Sequence, residues 1–485
     1  MNLKQKTGRQ KRDGNGAWLT AKLRHAPLPS RFCLFSMKNL TAFIKYSTLV
    51  SFSLLLFACA DSSKQSAADE SKNETKTKVS DAREIRVSAP DADSAEPAIA
   101  AAPDGGIYLV WIEHGAGRTA DVYFQKFDGA AKAVGEKVRI NPQIGEASAW
   151  RGDPPTIAVG TNGEIYVGWT ASVKIEKKSG TNLYVSVSPD GGKSFAASAK
   201  VNDDFAPASH GMHSLATDKS GKIYVAWLDE RNIKMPAHAA NKFEISNEFQ
   251  YVKAHHTPTP EAKKSEEEAE PNSEIFYAVS RDGAKTFSAN KKISSEVCPC
   301  CKTSLTTAGD GKIYVSWRQV LAGNFRHIAV ASSADGGESF SQPSIVSDDR
   351  WQIAACPVSG ASMAIAGSGA LKIAWFTAGA AGKPGIYTAE SADGGKSFSA
   401  RTLINENATS GNPIFLARQS GGFGVVWEAG GKLFRSKIEA NQIGAAEPIG
   451  DGAVPSATVS KGKIFVGFSR KESEKRGVWL AVFDD

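Results

Sequence analysis

Seven-residue stretches of the form Gly-x-Ile-Tyr-Val-x-Trp recur along the chain, alternating β-branched or aromatic residues with small ones. They read GGIYLVW ending at Trp111, GEIYVGW at Trp169, GKIYVAW at Trp227 and GKIYVSW at Trp317. Degenerate copies end at Trp375 (ALKIAW), Trp427 (GFGVVW) and Phe468 (GKIFVGF). Such alternation after a glycine-containing turn predicts a strand. Another apolar run precedes each copy, as at Pro97–Ala102, Thr156–Val159 and Ala361–Ala366, so each unit is expected to open with a hairpin. A third strand follows, as at Asn182–Val187 and His327–Ser332. The copies are 58, 58, 90, 58, 52 and 41 residues apart. Self-similarity at that period signals stacked supersecondary units. The long interval holds an insertion at about 232–273 (AHHTPTPEAKKSEEEAEPNS within it), read as a low-complexity surface excursion.

A second motif follows the third strand in four units. It reads SPDGGKSF at Ser188–Phe195, SRDGAKTF at Ser280–Phe287, SADGGESF at Ser333–Phe340 and SADGGKSF at Ser391–Phe398. Asp190, Asp282, Asp335 and Asp393 are suited to accept backbone N–H bonds within a hairpin, and the glycines supply positive φ. These aspartates are expected to be structural, with the terminal Phe packing between neighbouring sheets.

This motif resembles the Asp box (BNR repeat) of sialidase-superfamily β-propellers. The resemblance implies an all-β propeller. Seven units over roughly 400 residues suit four-stranded blades. The last unit, Pro455–Asp485, has only three strands of its own, and Glu84–Ser88 (EIRVS) is a lone strand before the first unit. The N-terminal strand is therefore expected to complete the last blade and close the ring, leaving no sheet edge open. Sialidases have six blades, so six is the alternative count.

The formal net charge is +7, but it is unevenly placed. Residues 1–36 contribute +7 and residues 37–58 contribute +2, leaving −2 from Cys59 onward. A near-neutral mature domain gives no electrostatic case for nucleic acid. Residues 37–58 place two lysines before an apolar run of about a dozen residues, which is too short to span a bilayer and fits a signal-peptide core. Its end, Leu56-Phe57-Ala58-Cys59, resembles the lipobox of bacterial lipoproteins, which implies lipidation at Cys59. Residues 1–36 then read as a mis-assigned upstream extension, Met37 being the start of a normal signal. Residues 59–82 are polar and charged, and read as a flexible stalk to a propeller at 83–485. Asp61 does not directly follow Cys59, which by analogy favours the outer membrane. The expected protein is an exported monomer held to the membrane by its lipid alone.

In Asp-box propellers, ligands meet the face opposite the Asp boxes, at the channel mouth. Segments leading into first strands and loops after second strands build that mouth. Here the lead-in segments are Trp150-Arg151-Gly152-Asp153, Ser209-His210-Gly211-Met212-His213, Cys298-Pro299-Cys300-Cys301-Lys302 and Cys356-Pro357-Val358-Ser359. Loops after second strands add Asp229, Arg231 and Arg318. The resemblance implies an exo-sialidase-like glycoside hydrolase, in which three arginines hold the substrate carboxylate. By position the clamp would draw on Arg151, Arg231 and Arg318, with Asp153 or Asp229 as acid. No tyrosine of the late units falls at a mouth position to act as nucleophile. The primary reading is thus a propeller that binds, and as an enzyme hydrolyses, a glycan or another anionic small molecule.

Two alternatives stand beside it. Cys298, Cys300, Cys301 and Cys356, with His210 or His213, suit a soft-metal site for copper or zinc. Disulfides among the same four cysteines are the competing arrangement in an oxidising compartment. A protein-interaction scaffold is the other alternative.

Overall fold

The computed structural model describes residues 83–117, 119–148, 153–175, 178–233, 272–353, 357–439 and 442–485. Expectations for the upstream extension, the signal segment, Cys59 and the stalk, and nearly all of the insertion, fall outside these residues. The described residues form strands and no helix.

The strands group into four-stranded antiparallel meanders. Unit 1 comprises Asp93–Ala101, Ile107–His114, Thr119–Phe127 and Ala133–Arg139. Unit 2 comprises Thr156–Val159, Ile165–Ile175, Lys178–Ser188 and Ala199–Lys200. Unit 3 follows with His210–Thr217, Ile223–Asp229, Ser273–Ser280 and Lys291–Val297. In unit 4 the strands are Ser304–Thr307, Ile313–Leu321, Phe325–Ser333 and Ser344–Ile345. Unit 5 holds Ser362–Ile365, Leu371–Thr377, Gly385–Ser391 and Thr402–Glu406. Unit 6 holds Ser410–Ala417, Phe423–Ala429, Lys432–Glu439 and Glu447–Asp451. Unit 7, the last, pairs Ala453–Ser460, Lys463–Glu472 and Lys475–Asp484, and its fourth strand is Arg83–Arg86 from the other end of the chain.

First strands meet in succession from unit 1 to unit 7, and the first strand of unit 7 meets that of unit 1. Side-chain hydroxyls stitch these strands together. Thr217 Oγ1 donates to Val159 O and Thr307 Oγ1 to Thr217 O, each at 2.8 Å. Ser362 Oγ accepts from Phe415 N, and Ser456 Oγ accepts from Ile99 N.

The repeated tryptophans explain why the second strands are so apolar. Trp111, Trp169, Trp227, Trp317, Trp375 and Trp427 are completely or almost completely buried. Five of them lie directly opposite an aromatic residue of the third strand: Tyr123, Tyr184, Phe276, Tyr387 and Phe434. Ring centroids in these pairs are 5.2–6.3 Å apart, a spacing that adds directional attraction to burial.

The Asp-box aspartates all do the same work. Asp190 Oδ1 accepts from Ser188 Oγ (2.7 Å), Lys193 N and Ser194 N (both 3.0 Å), and Oδ2 accepts from Ser194 Oγ (2.6 Å). Asp282, Asp335 and Asp393 repeat this arrangement. These donors favour the carboxylate and hold Asp282 down to about 2. The motif's Phe reaches the preceding unit: Phe195 meets Phe124 edge-on at 5.3 Å, and Phe340 meets Tyr277 at 4.9 Å.

Four first strands carry a bulge near their start, at Glu96, Met212, Asn412 and Val454, each with positive φ (54°, 51°, 46° and 52°). Left-handed backbone is costly for such side chains, so each bulge must be held from outside. In every case the preceding unit supplies the acceptor for the bulge N–H. Ser469 Oγ receives Glu96 N, Asp153 Oδ1 receives Met212 N, Ser359 Oγ receives Asn412 N and Glu428 Oε2 receives Val454 N.

Candidate functional site

The acidic and basic residues chosen from the sequence for a carboxylate clamp are not free to form one. Asp229 lies two residues beyond Trp227 and accepts its indole N–H at 2.8 Å. Glu113 and Gln319 occupy the equivalent positions in units 1 and 4 and accept from Trp111 and Trp317. Asp229 also binds the Arg231 guanidinium (2.8 Å), which reaches on to Asp203 and Asn290. Arg231 is therefore neutralised within its own neighbourhood. Arg318 is completely buried and donates to the carbonyls of Ser359 (2.9 Å) and Phe376 (3.0 Å), with its guanidinium over the Trp351 ring. Asp153 is buried on the Met212 bulge and receives Thr170 Oγ1 at 3.2 Å. Asp229, Arg231, Arg318 and Asp153 are thus each engaged by neighbouring groups of the protein. Arg151 lies outside the described residues.

The inner lead-in segments instead bring together a different set. His213 is 1% exposed, and neither ring nitrogen has a hydrogen-bond partner among the described residues. Its Nδ1 is 3.4 Å from Asp153 Oδ1. Gly168 leaves room for the ring: a Cβ there would lie 2.9 Å from His213 Nε2 and 2.5 Å from Thr156 Oγ1, a hydroxyl also without a partner. Lys302 belongs to the next unit. Its neighbour Thr303 donates its backbone N–H to Met212 O at 3.0 Å and shares a hydroxyl contact with Ser214 at 2.8 Å. Burial pulls the Lys302 ammonium down to about 8 even though Asp153 acts to raise it. No acidic side chain among the described residues pairs with it. Three consecutive units thus bring His213 and, within reach of its charge, the half-buried ammonium of Lys302 to Asp153. Lys302 closes the fourth lead-in segment and was not expected at the site. Its signal was positional: it stands two residues before Ser304, where unit 1 carries Glu96 two residues before Ala98.

The cysteines do converge. The Sγ atoms of Cys298, Cys300 and Cys301 lie within 4.8 Å of one another and all three residues are buried. Cys300 is disulfide-bonded, whereas Cys298 and Cys301 are free. Cys298 Sγ is 3.6 Å from Cys301 Sγ and accepts from Arg326 Nη1 at 2.9 Å. The hydrogen bond shared with Cys301, with the Arg326 and Arg318 charges, pulls the Cys298 thiol down to about 6, and burial pushes Cys301 up. The histidines expected beside them are elsewhere. His210 Nδ1 contacts Thr181 O and its Nε2 faces Asp204 at 3.0 Å, while His213 lies over Gly168. Among the described residues, no histidine joins the sulfurs in a group of ligand atoms that close together. Cys356 lies outside the described residues.

A cleft lies between units 5 and 6, beside the Asp box of Asp393, and is lined by Phe398, Phe415 and Ile443 with Lys372 and Glu390. Those two charges pair with each other at 2.6 Å, which leaves the cleft without a free ionic group from either.

No protein-family model matches this chain. No curated protein matches it. Among solved structures it is similar to a protein of unknown function from Dyadobacter fermentans, at 12% identity and a TM-score of 0.46, covering 83% of this chain and 99% of that one. It is similar to the polysaccharide lyase Uly1 at 10% identity and a TM-score of 0.47, covering 82% and 90% respectively. A Hadza microbial sialidase, Hz136, is similar at 14% identity and a TM-score of 0.44, covering 77% and 76%.

Proposed function

We propose that the chain is an exported, lipid-anchored protein whose seven four-stranded units close into a seven-bladed Asp-box propeller that binds a small anionic ligand, an acidic sugar being the best fit, on its inner face. The unbroken cycle of first-strand contacts and the pairing of Arg83–Arg86 with Lys475–Asp484 support the closed ring. The binding reading is carried by Lys302, a half-buried ammonium that feels Asp153 but has no acid within ion-pair distance among the described residues, and by the unsatisfied nitrogens of His213, which also faces Asp153. A ligand carboxylate would ion-pair with Lys302, and ligand hydroxyls would meet His213 and Thr156. For a hydrolytic step, Lys302, whose ammonium burial pulls down to about 8, is the group placed to exchange a proton near neutral pH. The anchor would be Cys59, as a thioether to lipid.

Calorimetric titration of the mature chain with N-acetylneuraminate and glucuronate, against galactose as a neutral control, tests the reading. Binding of an acidic sugar that Lys302→Met abolishes supports it. Equal affinity for neutral and acidic sugars, or undiminished binding by the variant, removes it. Loss of labelled-palmitate incorporation in Cys59→Ser tests the anchor.

A further inference from the structure

Outside that inner site, the buried sulfur cluster has a donor set and a charge that ask for a partner. Cys300 is engaged in a disulfide, so Cys298 and Cys301 remain as ligands, 3.6 Å apart and shielded from solvent. The loop that carries them is pinned at its start by Cys298 N donating to Arg318 O at 2.9 Å, and Met212, Leu228 and Val320 share its apolar surroundings. The charges of Arg326 and Arg318 both act on Cys298, and that of Arg318 also acts on Cys301. Arg326 donates to Cys298 Sγ, and Arg318 and Arg326 are both at least nine-tenths buried. Arg318 Nε and Nη1 and Arg326 Nε have no partner among the described residues. Buried guanidinium N–H groups without acceptors are costly, and an anionic group at the sulfurs would satisfy them.

The donor count decides which metal fits. Zinc takes four ligands, and no described histidine or carboxylate stands close enough to complete a set with these sulfurs. Soft thiolates select copper(I). A monovalent ion between two thiolates leaves a complex of charge −1, which suits two guanidiniums. A divalent ion would leave a neutral complex beside two cations and with open positions. We propose that Cys298 and Cys301 form a two-sulfur site for copper(I), with Arg318 and Arg326 holding the resulting anion. Both sulfurs bind as thiolates, so any proton they carry passes to water as the metal enters, and no electron is transferred.

The test is a titration of the mature chain, exported to the periplasm and isolated without reductant under argon, against copper(I) held by a bicinchoninate indicator. The folded protein withdraws one equivalent, and zinc offered with a zinc indicator is not withdrawn. Cys298→Ser and Cys301→Ser each lose the equivalent, with circular dichroism confirming that they remain folded. Should either fail to fold, Arg326→Leu keeps the question open to measurement. It weakens copper binding by about 10–100-fold, the range seen when a group supporting a metal ligand is removed. Failure of the folded wild type to withdraw copper overturns the proposal. So does retention of the equivalent by a folded serine variant, or peptide mapping that finds Cys298 and Cys301 joined to each other. The copper titration is run without sugar and read by the indicator alone, so failure of sugar binding leaves it unaffected and the two readings fail separately.

Discussion

Gly337, in the Asp box of unit 4, is where the repeat's turn chemistry meets the neighbouring sheet, and replacing it with alanine measures both at once. Its φ is +86°, and an added Cβ would lie 1.9 Å from Tyr277 Oη and 2.6 Å from Tyr277 Cζ. Tyr277 cannot swing away easily. It is completely buried, stacked on Tyr224 at 6.2 Å and held edge-on by Phe340 at 4.9 Å. Two costs follow. Left-handed backbone costs an alanine about 1–2 kcal/mol. Forcing a methyl into packed surroundings costs about 1–3 kcal/mol more. Gly336 provides the control: its φ is +73°, but its nearest neighbour is the flexible end of Lys222, at 3.1 Å, so only the first cost applies. Gly337→Ala is expected to destabilise by about 2–5 kcal/mol and Gly336→Ala by about 1–2 kcal/mol. Guanidinium unfolding midpoints of the mature chain report the difference. Tyr277→Phe sharpens the test, because its buried hydroxyl has no partner and its loss should cost little. In that background Gly337→Ala should recover part of its penalty through the lost Oη contact, but not all, since the ring carbon remains. Equal effects of the two glycine substitutions, or no recovery in the Tyr277→Phe background, would refute the reasoning.

Other expectations are more direct. Lys302 has its pKa lowered from 10.5 to about 8, so the unfolded chain holds more protons between those values and stability should rise as pH climbs through that window. Lys302→Met should accordingly be more stable than the parent at pH 7 and equal to it above about pH 10.5, as followed by thermal midpoints. Asp349 is completely buried, pairs with Arg401 and accepts Trp375 Nε1 at 2.8 Å. Asp349→Ala should cost about 3–5 kcal/mol in denaturant unfolding by stranding the guanidinium. Deleting Arg83–Arg86 uncovers the edge of Lys475–Asp484 and removes the Glu84–Arg470 ion pair. Light scattering should then show concentration-dependent association that the intact chain lacks.

The strands were legible because they obey local rules. Thr156–Val159 is the strand its pattern predicts, and the lone Glu84–Ser88 pattern became the Arg83–Arg86 strand on Lys475–Asp484. Alternation and glycine turns operate within a few residues, so tertiary context did not overrule them. The Asp-box bonds of Asp190 and its counterparts are local in the same sense. The site was harder to read. Asp229 looks catalytic in a loop, but the indole two residues earlier claims it. Arg318 looks like a clamp residue until the carbonyls of Ser359 and Phe376, 41 and 58 residues away, are placed beside it. The cysteine cluster was visible because its members crowd into one lead-in segment. Lys302 was not, since its value lies in burial beside His213 and Asp153 of other units, which no single segment reveals.

The borrowed acceptors at the four bulges make the units mutually dependent. A duplicated unit inserted into this gene would present its bulge to a neighbour chosen for another register, and a deleted one would strand both a donor and an acceptor. Each mismatch would cost about 1–3 kcal/mol, a sizeable share of a domain's net stability. Repeat number here is therefore guarded by chemistry at the junctions as well as by the geometry of fitting, and recombination among units would be tolerated only where Ser469, Asp153, Ser359 or Glu428 travels with the strand it serves.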